Sequence, residues 1–202
     1  MTSTHACHPP VLEQDDVRLR DLTAGDLPRV ADLLDPARPW HATNGPYFAP
    51  MTRQDVDAYV ARLTADVATD PADRALPRRH LAVVDAATDL VLGQVTWYWE
   101  SAETDWRRLG LVLWDETCWG RGVGTTALTL WTDHLFATTD ALRLDLATYS
   151  GNPGMIRAAL KAGYVEEGRM RRARRWAGGV HDAVVLGVLR DEWDALRSRA
   201  SA

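Results

Sequence analysis

Residues Leu109 to Phe136 read L-G-L-V-L-W-D-E-T-C-W-G-R-G-V-G-T-T-A-L-T-L-W-T-D-H-L-F. Leu109, Leu111, Val112 and Leu113 form a short apolar run of strand formers. Gly120, Gly122 and Gly124 follow, then Ala127, Leu128, Leu130, Trp131, Leu135 and Phe136 at helical spacing. The stretch therefore predicts a strand, a glycine-rich turn and a helix. Such a turn suits an anion: the backbone is bare, and the first N–H groups of the helix point outward at the positive end of its dipole. A tight turn with no ligand is the plainer alternative. No lysine follows Gly124, which argues against a Walker loop, and G-R-G-V-G lacks the spacing of a dinucleotide fingerprint.

At 202 residues the chain is long enough for one domain with a sizeable core. A net charge of −5 gives no global basic field toward nucleic acid or an anionic membrane. No apolar run reaches membrane-spanning length, and the first residues lack the pattern of a signal peptide. Two cysteines do not suggest a disulfide framework. A cytoplasmic location is the expectation. Residues 1–14 read as a flexible tail, in which His5, Cys7 and His8 are too few and too loosely placed to argue for a metal site. Residues 15–202 read as a single domain.

Outward from the glycine turn, Val17–Leu22 alternates as a first strand, and Thr23 or Asp26 caps a helix ending near Leu34. Asp35 to Pro50, with four prolines, reads as a long loop. Its aromatic residues Trp40, His41, Tyr47 and Phe48 form either a lid on the core or part of a substrate pocket. Thr52 caps a second helix. Strands follow at 80–84, 91–99 and 107–113, and another at 142–148 after the long helix. In V-T-W-Y-W-E, Val95, Trp97 and Trp99 share one face, and Thr96, Tyr98 and Glu100 the other. Asn152 caps a helix that Gly163 ends. A hairpin turning at Ala177-Gly178-Gly179 and a short final helix complete the chain. The order is β-α-α-β-β-β-α-β-α-β-β-α, an α/β (α+β) arrangement with about seven strands.

Two blocks carry a family resemblance. W-G-R-G-V-G followed by T-x-A-L resembles the coenzyme A pyrophosphate loop of the GNAT acetyltransferases, R/Q-x-x-G-x-G/A, with Trp119 at the arginine-or-glutamine position. Asn152, Lys161, Gly163, Tyr164, Glu167 and Gly168 match N-x-x-S/A-x5-K-x-G-F/Y-x-x-E-G of the same superfamily, in the branch that includes the ribosomal-protein N-terminal acetyltransferases. The resemblance covers roughly residues 16–195.

The resemblance implies the GNAT fold, in which these strands form a mixed central sheet, and acetyl-CoA as co-substrate, with no metal. Leu113, Trp114, Trp119, Gly120, Arg121, Gly122, Val123, Gly124 and Thr125 then surround the pantetheine and pyrophosphate, with Asn152 and Lys161 beside them. An N–H near Leu113 or Trp114 would hold the oxyanion. The expected reaction is acetylation of an amine, whose proton must first be lost. Glu100, ending its strand toward the acceptor cleft, is the candidate base. Relatives place a tyrosine general acid at the position of Ala159, or a serine at that of Met155, so Tyr149 and Ser150 are the nearby substitutes. Trp40, His41, Tyr47, Phe48, Trp97 and Trp99 would close a small aromatic pocket, favouring a small-molecule amine or amino acid. A protein amino terminus is the alternative acceptor, and a non-catalytic acyl-CoA sensor the alternative class. The arginines of Arg169–Trp176 divide between two strand faces, which argues against nucleic acid, although some could favour an acidic substrate. Homodimers are common in the superfamily.

Overall fold

Burial alternates along Val17–Arg20, with Val17 and Leu19 inward, as a strand with one covered face requires. Around it, a computed structural model describes residues 11–45, 48, 51–70 and 73–200. Strands β1 (Leu12–Gln14) and β2 (Val17–Arg20) lead through a 3-10 turn, Ala24–Asp26, into helices α1 (Leu27–Leu33), α2 (Trp40–Thr43) and α3 (Arg53–Ala68). Then come β3 (His80–Asp85), β4 (Val91–Ser101), β5 (Trp106–Leu113), α4 (Val123–Thr138), β6 (Arg143–Tyr149), α5 (Pro153–Ala162), β7 (Val165–Trp176), β8 (Gly179–Leu189) and α6 (Arg190–Ala200). The sheet has eight strands in the order β1-β2-β3-β4-β5-β6-β8-β7. All neighbours are antiparallel except β5 and β6.

Two expectations are corrected. The eighth strand is β1, inside the segment read as a tail: Leu12 pairs with Leu19, and Leu12 packs on the core. The long loop contains α2, where Trp40 is buried and its indole N–H donates to the Leu33 carbonyl, so one aromatic anchors a helical turn among the prolines. His5, Cys7 and His8 lie outside the described residues. No helix among the described residues is long and apolar enough to cross a membrane.

The sheet separates two cores. On one face α1 and α3 bury Val30, Leu33, Val56 and Leu63 against Ala82, Val84 and Val112. On the other, α4 and α5 cover Val95, Leu109 and Leu146. Helix α4 is buried on most of its circumference, as its run of apolar residues dictates. Its Trp131 is fully buried, contributing on the order of 4 kcal/mol of transfer free energy, and the indole N–H donates to the Thr96 carbonyl at 3.0 Å.

Beneath the first face, between β5 and β6, Asp145 is fully buried. Arg108 holds it with Nε on Oδ1 at 2.7 Å and Nη2 on Oδ2 at 3.2 Å, and the Trp106 indole N–H donates at 2.6 Å. Removing one member of such a pair strands the other charge away from water. Asp145→Ala is therefore expected to lower unfolding free energy by about 3–5 kcal/mol, read from the urea midpoint. A loss within the range of an ordinary surface substitution would contradict this account.

Candidate active site

The parallel pairing of β5 with β6 covers only Arg107 with Leu144, Arg108 with Asp145 and Leu109 with Leu146. Beyond it the strands part, although β5 keeps pairing with β4 as far as Leu113 and β6 keeps pairing with β8 as far as Tyr149. The gap opens a notch in the middle of the sheet. Parity shows which backbone groups line it. The Trp97 N–H turns to the Arg79 carbonyl on the β3 side, so its partner Leu109, and with it Leu111 and Leu113, direct N–H and C=O groups away from β4. Leu111 and Leu113 thus present backbone groups to the notch with no ladder partner there. The Leu113 carbonyl accepts the indole N–H of Trp119 at 3.1 Å. The Trp114 N–H donates to Leu92 at 2.8 Å, which corrects the expectation of an oxyanion donor at that residue. The available N–H groups belong to Leu111 and Leu113.

At the open end of the notch lies the glycine turn. Gly120 and Gly122 have φ of +74° and +91°, left-handed values that strain any residue with a Cβ, and Gly122 is the N-cap of α4. Thr125 and Thr126 both donate to the Gly122 carbonyl, which leaves the N–H groups of Val123 and Gly124 without helical acceptors. Bare backbone, outward N–H groups and the dipole of a 16-residue helix fit a diphosphate. Side chains in this turn divide. Trp119, Gly120, Gly122, Gly124 and Thr125 line the large cleft, whereas Arg121 and Val123 line a separate hollow with Asp85 and Asp115. Arg121, expected beside the pyrophosphate, therefore lies off the cleft lining.

Notch and turn open into one cleft of about 1120 Å³. Asn152 caps α5, its Oδ1 accepting from the Met155 N–H at 3.0 Å, while its Nδ2 donates to the Thr43 carbonyl. The Tyr149 hydroxyl donates to the Ala42 carbonyl at 3.3 Å. These two bonds, spanning 109 and 107 residues, tie α2 across one wall of the cleft. Arg157 and Lys161, one turn apart on α5, line the same wall.

The expected acceptor aromatics are dispersed. Trp40 and Phe48 line the cleft, and His41 stacks on Trp40 at 3.7 Å outside it. Tyr47 lies outside the described residues. Trp97 also borders the cleft, although its indole packs into the core on the α4 side and donates to the Arg78 carbonyl. Trp99 meets it edge-on at 5.1 Å and does not line the cleft.

The expected catalytic groups are also redistributed. Register shifts between Trp99 and Ser101, leaving Glu100 at a bulge, where its carboxylate pairs with Arg108 at 2.7 Å and lies off the cleft lining. Ser150 Oγ accepts the Asp182 N–H, a bond within the β6–β8 corner. The cleft face instead carries His80 and Thr96 in register, then Gly110 beside Thr96, a row leading to the notch. A Cβ at Gly110 would collide with Thr96 Oγ1, so glycine keeps the two strands paired there. Burial pushes the His80 pKa below its ordinary value; Asp66 and Asp21 oppose this, and Arg74 and Arg62 reinforce it. Burial first, with the Glu100 and Asp145 charges, raises that of Tyr98, against the opposing effect of Arg108. No Asp or Glu lines the cleft among the described residues. Sequence reading missed His80 because only the β3–β4 register brings it opposite Thr96.

Residues 16–165 match the acetyltransferase (GNAT) domain family. Similar solved structures include the ribosomal-protein-S5-alanine acetyltransferase of Vibrio fischeri, at 19% identity over 91% of this chain and 98% of that one, with a TM-score of 0.70. A GNAT-family acetyltransferase of Bacillus anthracis aligns at 13% identity over 90% and 99%, TM-score 0.69. Spermidine N-acetyltransferase of Vibrio cholerae, in complex with CoA and spermine, aligns at 17% identity over 89% and 99%, TM-score 0.67.

The turn generates a direct expectation. Open space surrounds the Cβ position at Gly122, so alanine there meets only the left-handed backbone penalty, about 1–2 kcal/mol. Gly122→Ala is expected to weaken CoA binding about tenfold by calorimetry, and Gly122→Asn, which tolerates that conformation, by less. Equal affinity in all three proteins would separate the turn from the ligand.

Proposed function

The chain belongs to the GNAT acetyltransferase family, N-acetyltransferases that draw on acetyl-CoA, and from that premise we propose that it acetylates the amine of a small molecule. What carries this reading is the notch between β5 and β6, which opens at one end on the glycine turn and at the other on the polar row His80, Thr96 and Gly110. Val123 and Gly124 N–H groups would hold the pyrophosphate, with Lys161 and Arg157 adding charge from α5. Leu111 and Leu113 would pair with the amides of the pantetheine arm, which has the length and hydrogen-bonding groups of an added strand. The ties from Tyr149 and Asn152 to α2 favour a small acceptor over an extended peptide, because they narrow the side on which a chain would leave.

Transfer itself makes a C–N bond and breaks a C–S bond. The neutral amine attacks the thioester carbonyl, whose oxygen gathers negative charge opposite a β5 N–H. The nitrogen becomes acidic as it bonds, and the neutral imidazole of His80 receives its proton. The carbonyl reforms, CoA leaves as thiolate, and the Tyr98 phenol, which keeps its proton at neutral pH, supplies one to it. Glu100 acts at one remove, by orienting Arg108 together with Asp145.

Thiol release from acetyl-CoA over a panel of amines, amino acids and peptides tests the transferase reading; saturable release with a small amine is the expected result. For the base, His80 must be neutral to work. Activity should therefore fall as pH drops through a pKa lying below 6.5, because burial lowers it. His80→Gln should reduce kcat about a hundredfold and abolish that acidic limb. An unaltered limb in the variant would assign the proton to another group.

A further inference from the structure

We propose that the acceptor amine carries its own carboxylate, and that Arg62 on α3 receives it; the inference rests on the small-amine reading above. The argument begins with charge. The cleft lining holds arginines, one lysine and one histidine, and among the described residues no carboxylate. A polycationic acceptor gains nothing from such walls. CoA accounts for part of this charge: its phosphates would lie at the glycine turn, beside Arg157 and Lys161. The pantetheine arm and the acetyl thioester are uncharged, so nothing in the donor explains a cation on α3.

The cleft arginines are not equivalent. Arg108 is held by Asp145 and Glu100, at 2.7 Å each, and is neutralised. The Arg79 guanidinium lies 4.4 Å over the Trp97 ring, whose indole belongs to the α4 side of the sheet. Arg62 lies 4.7 Å over the ring of Tyr59, and the Tyr59 hydroxyl donates to Gln94 Oε1 at 2.7 Å, which fixes this pair on the cleft face. Among the described residues no carboxylate comes within ion-pair distance of Arg62, whereas Arg18, Arg20, Arg29 and Arg78 each have one. Asp66, one turn along α3, acts on His80 from a distance but does not line the cleft.

Position matches charge. Tyr59 sits over Gln94, two residues before Thr96 on β4, and Arg62 lines the cleft together with His80, the partner of Thr96. Arg62 therefore faces the acceptor end of the cleft. Its stacking on Tyr59 limits the side chain's freedom without cancelling its charge, so the planar fork is left ready for a carboxylate. An amino acid bound there would place its carboxylate on Arg62 and its nitrogen toward the row that ends at Gly110.

The test compares kcat/KM for a set of amino acids, each against its own carboxamide at matched neutral-amine fraction, with spermidine as a polycationic control. The wild-type protein should favour the acid of a productive pair about tenfold or more. In Arg62→Gln that ratio should collapse toward one through a rise in KM for the acid, with Arg62→Lys intermediate. Arg62 is exposed in a helix, so circular dichroism of both variants should match the wild type. Preference for the amides or spermidine, or a ratio unmoved by Arg62→Gln, would overturn the inference while leaving the transferase reading intact. Thiol release with none of the amines would remove that reading, and this one with it.

Discussion

The buried bridge between Arg108 and Asp145 fastens β5 to β6 at the middle of the three residue pairs these parallel strands form. Everything that makes the cleft follows from where that pairing stops. A sheet that stayed closed would satisfy Leu111 and Leu113 from β6 and offer a ligand nothing. Because β4 and β8 continue to hold the outer sides of the two strands, the notch is a rigid defect rather than a frayed end. Buried polar networks of this kind fix geometry more than they add stability. Here the geometry fixed is the depth of the notch. Trp106 and, from its bulge, Glu100 complete the fastening, so the carboxylate expected as a base is held in an ion pair with Arg108.

The two ends of the cleft differ in how they handle charge. At the wide end, backbone supplies it: N–H groups of a helix whose first turn is entered through left-handed glycines. Such donors are fixed before any ligand arrives and need no reorganisation. At the other end, side chains supply it: among the described residues no carboxylate lines the cleft, which leaves cationic and neutral groups there. The chain's net charge of −5 says nothing of this local field, since much of its acidic surface is engaged in ion pairs with arginines remote from the cleft.

Local features were legible in the sequence because their causes are local. The glycine turn, the Asn152 cap and the hairpin turn at Ala177 and Gly178 each depend on a few neighbouring residues. The faces of β4 followed from simple alternation, as far as the bulge. What alternation cannot supply is the neighbour across the sheet. His80 gains its place from register with Thr96, and Glu100 loses its expected one at an irregularity that no side-chain pattern announces. The same limit misplaced Trp99: it was correctly put on one face with Trp97, yet that face is the one covered by α4, and of the two only Trp97 borders the cleft. Strand β1 was missed because three residues carry too little periodicity to read.

The central claim is that a ligand's backbone-like arm fills the notch while its phosphates settle on the first turn of α4. Amide hydrogen exchange resolved to single residues, with and without acetyl-CoA, measures this directly. The account expects slowed exchange at Leu111, Leu113, Val123 and Gly124, with little change at Trp114, whose N–H is already bonded within the sheet. Unchanged exchange at those four amides under saturating acetyl-CoA, or protection confined to another surface, would contradict it.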